Sequence, residues 1–534
     1  MRPAHDDTGL HERGPSNNSS PTVAIRVDSG SHVGGGHVLR CLTLANELRR
    51  IGASVHFVSR EHPGHLLARL SDCGHVVHRL PTIPRTGSPS IDDAESRKIA
   101  QARDAMDTLA ALRDEHIDWL IADHYGVDAA WESLVRPGVE RLMVIDDLAD
   151  RAHDADLLVD QNYFGSETLH RYEGRIPQRC HALLGPRYAL LHPDYRRLRA
   201  SWTRHSGTIR RVLVFFGMHD PTRAALKVLQ ALSHPEFSGI SVDVVAGNDP
   251  SLTDEICSAA RARHGITVRN VLPSLAELMA GVDLAIGAGG ATTWERACLG
   301  VPTIVATIAD NQVGLANVLA AEGFIALLGR SALTSSDTWR LVLRRLVSNP
   351  HRVTELGSHA RTLTDGFGAA RVARHMLGGI TNVVVRRSST VDETLLLEWA
   401  NDPGTRHFAF NKSRITPDQH HLWFLSRLID RGCMMLIGED GHGLPVGQVR
   451  FDVNGPGDEA TINVSVDVAL RGMGIGSLLL QEAMAAWRRE HPRTPIIAEI
   501  VEGNEASKRL FASAGFRPIT SRRPETITLE SRPG

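Results

Sequence analysis

The chain has 534 residues, of which 42% are hydrophobic and 22% are charged, with 59 Lys and Arg against 61 Asp and Glu. That length is too great for a single hydrophobic core and predicts two to four globular domains. The near-balance of charge gives no electrostatic basis for binding nucleic acid or an anionic membrane, and no apolar run is long enough for a transmembrane helix. We therefore expect neither kind of partner.

Cysteine usage and the N-terminus bear on the cellular compartment. The six cysteines are scattered and include no Cys-x-x-Cys pair, which argues against a disulfide framework or a metal site. Residues 1–21 are polar and lack the apolar segment of a signal peptide. We expect a disordered tail there, a cytoplasmic protein and no bound metal.

Between residues 22 and 200, short aliphatic runs alternate with helical patterns. The candidate strands are 23–27, 54–58, 119–122, 142–146 and 155–160, with helix-like segments at 38–51 and 98–115. This alternation is typical of βαβ units and predicts a Rossmann-like domain, a parallel sheet covered on both faces. An arginine-rich stretch, 194–211, is expected to connect it to the next domain.

A glycine cluster stands between the first strand and the first helix. Gly34, Gly35 and Gly36 are followed by His37, which is placed to open the helix. Glycines let backbone approach a ligand closely, and the positive end of the helix dipole favours a neutral imidazole, as a general base requires. A tight turn with a chance histidine explains the same residues. Asp28, before the glycines, either orients His37 or caps the loop.

A second α/β series follows over residues 201–378, with candidate strands 212–216, 241–246, 283–286 and 303–306. Each strand ends in Gly, Asp, Asn or Thr, and the loops at the carboxyl ends of parallel strands form the ligand crevice of open α/β sheets. The simplest arrangement is a second Rossmann-like domain that faces the first across a cleft.

The strongest local signal of this second series is a glycine-rich loop that leads into a helix. It contains, in order, Gly289, Gly290, Ala291, Thr292, Thr293 and Glu295. Amide groups at a helix start bind phosphate oxygens, hydroxyls add donors, and a glutamate accepts from ribose hydroxyls. The spacing departs from Gly-x-Gly-x-x-Gly, which argues against NAD or FAD. A capped helix whose glutamate complements the dipole is the structural alternative.

Two more loops are aimed at the same cleft. Asn311 and Gln312 follow the next strand and offer side-chain amides that could grip a sugar or phosphate. Gly217 ends the first strand of this series.

The pattern changes near residue 380, and residues 380–522 form a third, α+β domain, followed by a tail over 523–534. Its candidate strands are 434–437, 447–451, 461–468 and 495–501, with helices at 477–490 and 505–514. A strand runs into Arg471-Gly472-Met473-Gly474-Ile475-Gly476 and then a helix, where backbone amides would meet a pyrophosphate.

That loop, together with Asn504, Ser507, Phe511 and Gly515-Phe516 at their spacing, resembles the GNAT acetyltransferases. The resemblance implies acetyl-CoA as co-substrate. Its binding residues would be Val466, Val468, Arg471, Gly472, Met473, Gly474, Ile475, Gly476, Asn504 and Ser507. Many such enzymes use a tyrosine acid, but every tyrosine here precedes residue 200, so the acid stays unassigned. Glu459, Asp452 and His407 are unranked candidates for the base.

Motifs over residues 22–375 resemble a second family. They are Asp28 with Gly34–His37, Asp123-His124-Tyr125, 144–149, Asp160-Gln161-Asn162-Tyr163, 184–188, 289–295 and Asn311-Gln312. In this order they resemble the UDP-sugar hydrolases of pseudaminic acid biosynthesis, which have two Rossmann-like domains in a GT-B arrangement. Those enzymes hydrolyse UDP-2,4-diacetamido-2,4,6-trideoxy-β-L-altropyranose to UDP and the free sugar.

The resemblance implies a role for each motif. His37 would be the base, Gly35 and Gly36 would make room for sugar and water, and His124, Tyr125 and Asn162 would contact the sugar. UDP would lie on the second domain, with its diphosphate at residues 289–293, its ribose at Glu295 and its uracil near Leu272. Met218-His219 replace a small Gly-Ser pair of the family, which weakens the case for phosphate binding beside Gly217.

These resemblances predict a chain that N-acetylates a UDP-linked 4-amino sugar and then removes UDP from the product. The alternatives are a GT-B glycosyltransferase, or a sugar-binding module fused to a protein-modifying acetyltransferase. A legionaminic-type stereoisomer of the sugar also remains open.

Overall fold

The computed structural model describes residues 20–30, 33–82, 94–200, 207–270, 272–331, 334–455 and 459–533. Nearly all of the expected N-terminal tail, as well as Val271 beside the predicted uracil position, lies outside these ranges. The described residues form three β-sheets, one at the centre of each domain. Among them, no helix combines the length and apolar character needed to cross a bilayer.

Seven parallel strands form the first sheet: β1 (Thr22–Val27), β2 (Ser54–Arg60), β3 (Val76–Leu80), β4 (Trp119–Asp123), β5 (Arg141–Ile145), β6 (Leu157–Asp160) and β7 (His181–Leu184). Their order across the sheet is β3-β2-β1-β4-β5-β6-β7. The five predicted strands are confirmed. The apolar pattern does not reveal the edge strands β3 and β7, because their residues are more exposed.

Helices cover both faces of this sheet: α1 (Gly36–Arg50), α2 (Leu67–Asp72), α3 (Ala94–Ala111), α4 (Ala129–Val135) and, towards the next domain, α5 (Pro193–Ala200). Val38, Cys41, Ala45 and Leu48 recur at helical spacing along α1 and are buried on one face. Trp131 of α4 is buried on the other. The predicted two-faced parallel sheet is thus confirmed.

Six parallel strands form the second sheet: β8 (Arg211–Phe215), β9 (Ser241–Val245), β10 (Ile266–Arg269), β11 (Leu284–Gly287), β12 (Thr303–Thr307) and β13 (Ala326–Arg330). Their order is β10-β9-β8-β11-β12-β13, which repeats the first sheet's topology. The flanking helices are α6 (Ala224–Leu232), α7 (Pro250–Arg261), α8 (Ala276–Ala280), α9 (Thr292–Cys298), α10 (Asn311–Ala321), α11 (Ser336–Val347) and α12 (Pro350–Ala360). Two Rossmann-like domains in tandem result.

The boundary between these two domains differs from the expected one. The next helix, α13 (Gly368–Leu377), returns to the first domain, where Val372, Ala373 and Met376 are buried in the cluster that contains α1. Conversely, Tyr195 of α5 is buried in a cluster of the second domain. The expected domain over 201–378 therefore loses α13, and the arginine-rich connection is a packed helix in its first part.

The third sheet is mixed: β14 (Val383–Arg387), β15 (Cys433–Asp440), β16 (Pro445–Asn454), β17 (Glu459–Val466), β18 (Ile496–Val501), β19 (Arg517–Ile519) and β20 (Thr526–Ser531). Its helices are α14 (Glu393–Asn401), α15 (Pro403–His407), α16 (Pro417–Ile429), α17 (Ile475–Glu490) and α18 (Glu505–Ser513). The strand order is β14-β15-β16-β17-β18-β20-β19. The segment 523–534, expected to be a tail, thus supplies β20 in the interior of the sheet, and that expectation is wrong.

Buried ion pairs hold the third domain against the first. Arg371 of α13 is 1% exposed and donates both to Asp365 (2.7 Å) and to Asp467 (2.7 Å). Arg187 also donates to Asp467, at 3.0 Å. Nearby, Arg374 of α13 pairs with Asp440. All of these side chains except that of Arg187 are at most 10% exposed, so loss of one partner would leave an uncompensated buried charge between the domains.

Candidate active sites

The structure gives His37 a carboxylate partner. His37 is the second residue of α1 and is 13% exposed, with its Nδ1 2.6 Å from Oδ1 of Asp123 at the end of β4. When Nδ1–H donates to Asp123, the lone pair lies on Nε2. A Cβ added at Gly36 would meet no described atom within 4 Å. The imidazole is therefore oriented as a base beside open space.

Asp123 belongs to a network of charges. Arg40, one turn after His37, donates to both oxygens of Asp123 at 2.7 Å and to Asp147 at 2.8 Å. Burial alone would raise the pKa of Asp123, but the charge of Arg40 and the hydrogen bonds from Arg40 and His37 outweigh it and hold the pKa well below its usual range. Asp123 is thus ionised at neutral pH and favours the Nδ1–H tautomer of His37.

Asp28 does not orient His37. Its carboxylate accepts two hydrogen bonds from Arg26, at 2.6 and 2.9 Å, and one from the amide of Arg60 at 2.8 Å. Nε2 atoms of His62 and His124 each lie 3.4 Å away. Among the described residues, no hydrogen bond or ion pair joins Asp28 to His37. Of the two roles left open for Asp28, the structure favours the structural one: Asp28 organises the end of β1, and Asp123, not Asp28, lies beside the histidine as its partner, which corrects the catalytic role.

Two of the three predicted sugar-contacting residues adjoin the dyad. The Tyr125 ring stands edge-on to His37 with centroids 4.7 Å apart, and its hydroxyl donates to Asp147 at 3.2 Å. Asn162 donates from its side-chain amide to the Asp147 carbonyl at 3.2 Å. His124 instead turns to Asp28 and accepts from the Gly126 amide at 2.9 Å. Both ring nitrogens of His124 are therefore engaged by neighbouring residues, which favours a role in closing the loop after β4 over contact with the sugar.

At the end of β6, near Asn162, lies a carboxyl group with an unusual pKa. Asp160 ends β6 and accepts hydrogen bonds from the Asn162 amide (2.8 Å) and the Tyr172 hydroxyl (3.2 Å). Burial raises its pKa to about 7, against the opposing charge of Arg171. Arg171, which forms an ion pair with Asp160, therefore offsets only part of the cost of burying this carboxylate.

A buried histidine supports the loop that carries Asp147. His153 lies with Nδ1 2.7 Å from Glu132 and Nε2 3.7 Å from Asp146, all three side chains being fully buried. Burial lowers the pKa of His153, but the two carboxylates outweigh that effect and raise it to about 9. His153 is therefore an imidazolium in the folded protein at neutral pH.

This shift predicts a pH-dependent stability. The pKa of His153 is higher in the folded chain than in the unfolded one, where it is about 6.5. Its contribution to stability is complete below pH 6.5 and is lost as the pH rises through about 9. We expect the Tm of the wild type to fall between pH 6.5 and 9.5, measured by calorimetry. The variant His153→Gln should show a flatter profile, and an equally steep fall in that variant would contradict the prediction.

In the second domain the glycine-rich loop is braced by Gln312. Its side-chain oxygen accepts from the amides of Gly289 (3.3 Å) and Ile308 (3.1 Å), which joins the loop after β11 to the loop after β12. Asn311, beside it, is exposed at the start of α10. The sequence predicts that Gln312 contacts a sugar or phosphate directly. In the structure its side-chain oxygen instead binds the two loops, and only its side-chain nitrogen is left as a donor for a ligand.

Glu295 lies at the boundary between core and cleft. Its Oε2 is buried and has no hydrogen-bond partner among the described residues, although the residue as a whole is partly exposed. Burial raises the pKa of this carboxyl, and the neighbouring Tyr195 hydroxyl opposes that effect without reaching hydrogen-bonding geometry with Oε2. An orphaned acceptor of this kind is costly unless a ligand donates to it. Glu295 therefore fits the predicted contact with ribose hydroxyls.

The neighbouring threonines differ. Thr292 is partly exposed as the first residue of α9, whereas Thr293 is buried and its hydroxyl accepts from Arg296 at 3.1 Å. Thr292 thus suits the expected phosphate contact, and Thr293 is better placed to shape the loop. Ala291 is exposed, and the partly exposed Gly290 and buried Gly289 precede it.

The remaining predicted contacts of this domain are on other loops. Gly217 has φ of +99°, a conformation that favours glycine, in the loop after β8. Leu272 is partly buried against the cluster that contains Trp294. The structure thus places both in loops, and their contact with a ligand stays a prediction.

The third domain opens a gap at the predicted acetyl-CoA loop. The parallel strands β17 and β18 pair only at Ala460–Ile496 and Thr461–Ile497 and then separate. The gap continues into a cavity of 1050 Å³ lined by Val466, Arg471, Gly472, Gly474, Ile475, Gly476, Asn504 and Ser507. A narrow gap with unpaired strand edges fits the amide-containing arm of CoA.

The loop itself has the backbone that its glycines allow. Gly472 and Gly474 have φ of +81° and +75°, so substitution by other residues would be strained. Arg471 is held by Asp402 at 2.9 Å and by the Thr405 hydroxyl at 2.9 Å. The backbone amides of the loop are therefore held in place for contact with a ligand before any ligand binds.

The downstream residues have structural duties as well. The side-chain oxygen of Asn504 accepts from the Ser507 amide at 3.1 Å and caps α18. Val468 is partly exposed, and Met473 lines a separate cavity on the side of the first domain. These two predicted cofactor residues therefore lie on the outer side of the loop.

The sequence candidates for the acetyl-transfer base lie outside the cavity lining. Glu459 pairs with Arg522, and Asp452 accepts from Arg450 at 2.7 Å. Instead, Glu499 of β18 is the one acidic side chain among the described lining residues; it is 12% exposed, and its Oε2 lies 3.2 Å from Nε of Arg523. His420, buried with both ring nitrogens unpartnered in the described ranges, also lines the cavity. No motif marks either residue.

Comparison with known proteins supports both parts of this architecture. Residues 382–517 match the family model described as an acetyltransferase (GNAT) domain. The third domain is a GNAT domain. Such a domain implies acetyl-CoA as the co-substrate, which agrees with the shape of the gap between β17 and β18.

One relative matches nearly the whole chain, and another matches about two thirds of it. An uncharacterized protein of Methanocaldococcus jannaschii is 23% identical over 511 residues, 93% of this chain and 96% of its own length. The spore coat polysaccharide biosynthesis protein SpsG of Bacillus subtilis is 23% identical over 352 residues, 66% of this chain and 96% of its own length.

A third relative is named by its reaction. The UDP-2,4-diacetamido-2,4,6-trideoxy-β-L-altropyranose hydrolase of Campylobacter jejuni is 27% identical over 175 residues, which are 32% of this chain and 53% of that protein. Among solved structures, MurG of Acinetobacter baumannii is 16% identical, covers 67% of this chain and 99% of its own, and gives a TM-score of 0.48.

Proposed function

We propose that this chain is a bifunctional sugar-nucleotide enzyme of pseudaminic acid biosynthesis. Its first two domains hydrolyse UDP-2,4-diacetamido-2,4,6-trideoxy-β-L-altropyranose to UDP and the free sugar, and its GNAT domain acetylates the 4-amino precursor. The observation that carries the proposal is the Asp123–His37 dyad, 2.6 Å apart, in a chain similar to the Campylobacter jejuni hydrolase.

Hydrolysis requires an activated water at the anomeric carbon. Nε2 of His37 takes a proton from the water as its oxygen bonds to that carbon. The bond between the carbon and the UDP oxygen breaks, and the electron pair leaves with UDP. Asp123 stabilises the imidazolium that forms, and the Arg40 contacts keep Asp123 ionised. A positioned base of this kind contributes about 10²–10⁴-fold in rate.

The second domain supplies the groups for the leaving UDP. Amide groups of the loop from Gly289 and at the start of α9, together with the Thr292 hydroxyl, can bind the diphosphate as charge develops. Glu295 accepts from the ribose hydroxyls through its orphaned oxygen. These contacts support UDP, and not the sugar, as the part held by the second domain.

Acetylation takes place in the third domain. The 4-amino nitrogen of the UDP-sugar attacks the thioester carbonyl, a C–N bond forms, and the C–S bond breaks with its electron pair on the CoA sulfur. Glu499 is placed to accept the proton that the nitrogen loses. The nitrogen must be unprotonated to attack the carbonyl, and Glu499, the one acidic residue among the described lining residues, supports this assignment of the base although it also pairs with Arg523.

The decisive experiment supplies both substrates to the full chain. Incubation with acetyl-CoA and the UDP-4-amino sugar should yield CoA first, and then UDP and a free diacetamido sugar. Mass spectrometry identifies these products. Without acetyl-CoA, release of UDP should be slow. Release of UDP that requires an added acceptor would identify a glycosyltransferase instead. Release of neither CoA nor UDP would contradict the proposal.

Glu295 provides a test of the UDP site. The variant Glu295→Gln should raise the Kd for UDP about tenfold, because a charge-assisted hydrogen bond to ribose becomes a neutral one. Isothermal titration calorimetry measures the effect. Glu355→Gln, at an exposed site on α12, is the matched control and should bind UDP as the wild type does. Unchanged affinity in Glu295→Gln would remove Glu295 from the site.

A further inference from the structure

A second cavity lies between the first and third domains; we call it the interdomain cavity. Its volume is 690 Å³. One wall consists of the first residues of four adjacent strands, Trp119, Arg141, Leu157 and His181. The opposite wall is the loop of Arg471, Gly472 and Met473.

The interdomain cavity is separate from the hydrolase site. In a parallel sheet the amino ends of all strands lie at one edge and the carboxyl ends at the other. Trp119 and Asp123 are the two ends of β4, about 13 Å apart at ~3.3 Å per residue. The His37 dyad therefore uses the carboxyl edge, and the interdomain cavity uses the amino edge of the same sheet.

The interdomain cavity adjoins the acetyl-CoA gap. Arg471 and Gly472 line both cavities. These residues lie in the loop expected to hold the pyrophosphate of CoA, so a ligand whose arm fills the gap can extend its other end past the loop. The nucleotide end of CoA, an adenosine with phosphates at its 3′ and 5′ positions, is that end.

We propose that the interdomain cavity receives the 3′-phosphoadenosine end of acetyl-CoA, and that Arg141 of the first domain binds its phosphate. The acetyl-CoA site would then be built from two domains. This inference rests on the proposed acetyltransferase function.

Charge in the interdomain cavity favours a phosphate at Arg141. Its guanidinium lies 5.4 Å from the Trp119 ring centroid, and no carboxylate of the described residues forms an ion pair with it. The other two arginines of the lining are neutralised, Arg374 by Asp440 and Arg471 by Asp402. Arg141 is thus a planar, unpaired donor, which suits bidentate phosphate binding.

The acidic residues of the lining are engaged elsewhere. Asp156 accepts from Arg136 at 3.1 Å and from the Leu142 amide at 2.8 Å. Glu140 lies 3.3 Å from Nε2 of His116. Asp156 is therefore neutralised by Arg136, and Glu140 has His116 as a neighbour.

Contacts of α13 fix the two walls relative to each other. His375, which also lines the interdomain cavity, lies with Nε2 2.7 Å from the Ala469 carbonyl, in the loop before Arg471. Arg371 holds Asp467 in the same loop. A site whose walls are fixed in advance loses less entropy on binding, which favours a real ligand site over a chance gap.

The test compares CoA with dephospho-CoA, which lacks the 3′-phosphate, on the full chain. Wild type should bind CoA about tenfold more tightly than dephospho-CoA, measured by calorimetry. In Arg141→Gln this preference should fall to near one, and the KM for acetyl-CoA should rise about tenfold with kcat unchanged. The hydrolysis of the UDP-sugar should not change. Arg113→Gln, 77% exposed and paired among the described residues with its neighbour Asp114, is the control and should behave as the wild type does.

The outcomes separate the two proposals. If the wild type binds CoA and Arg141→Gln keeps its preference over dephospho-CoA, the interdomain inference is overturned and the acetyltransferase function stands. If the wild type binds neither form of CoA, both are overturned. If Arg141→Gln weakened the binding of CoA and of dephospho-CoA equally, the preference for CoA would be intact. The variant would then have distorted the third domain in general, and the role of Arg141 would also be overturned.

Discussion

Replacing His37 by glutamine should lower kcat for UDP release about 10³-fold while UDP still binds. The amide cannot accept the proton of the attacking water, so the loss falls on the chemical step. The UDP contacts lie on the other domain, so the Kd for UDP should change less than twofold. Stopped assays of UDP release and calorimetry with UDP measure the two quantities. His116→Gln, 73% exposed before β4, is the matched control and should retain full activity.

Asp123 and Asp28 give this prediction its sharper form. Asp123→Asn should also lower kcat, by about 10²-fold, because the neutral amide no longer stabilises the imidazolium. Asp28→Asn should lower stability through its buried pair with Arg26 but keep the pH profile of kcat. A sugar sensor without catalysis would show no rate for any of these variants to change. A His37→Gln enzyme with normal kcat would contradict the assignment.

Replacing Arg371 by methionine should lower the free energy of unfolding by about 3–5 kcal/mol. The change leaves the carboxylates of Asp365 and Asp467 buried without their cation. Since Asp467 begins the acetyl-CoA loop, the KM for acetyl-CoA should rise as well. Urea denaturation followed by circular dichroism measures the first effect, and steady-state kinetics the second.

A matched control distinguishes this effect from the loss of any arginine. Arg345→Met removes an exposed guanidinium from α11 and should change stability by less than about 0.5 kcal/mol. If Arg371→Met were as stable as that control, the interface would not depend on its buried charges, and the fixed geometry of the interdomain cavity would lose its support.

Much of the fold is predictable because it repeats local patterns. The strands of the two parallel sheets are aliphatic, buried on both faces and followed by polar loops, so their runs are visible without any partner. Edge strands such as β3 and β10 lack this aliphatic pattern because one side of each strand faces solvent instead of a neighbouring strand. The segment of β20 is short and polar at alternate positions, so its sequence alone resembles a polar tail. Its pairing with β18 shows that it is a strand.

The partner of His37 could not be predicted from local pattern. Asp123 lies 86 residues after His37, and only the parallel pairing of β1 with β4, which places Val27 opposite Asp123, brings it to the glycine cluster. Asp28 is nearer to His37 in sequence, but its carboxylate is paired with Arg26. Strand order is a property of the whole chain, so the composition of a motif cannot supply it.

Helix α13 has a consequence for dissecting the protein. Its apolar side completes the core around α1, and its arginines reach Asp440 and Asp467 of the third domain. A fragment that starts after residue 378 would carry those carboxylates to its surface without their partners, and one that stops before residue 368 would open the first core. The two activities share one structural element, so each is best measured in the intact chain, with the other silenced by a point substitution.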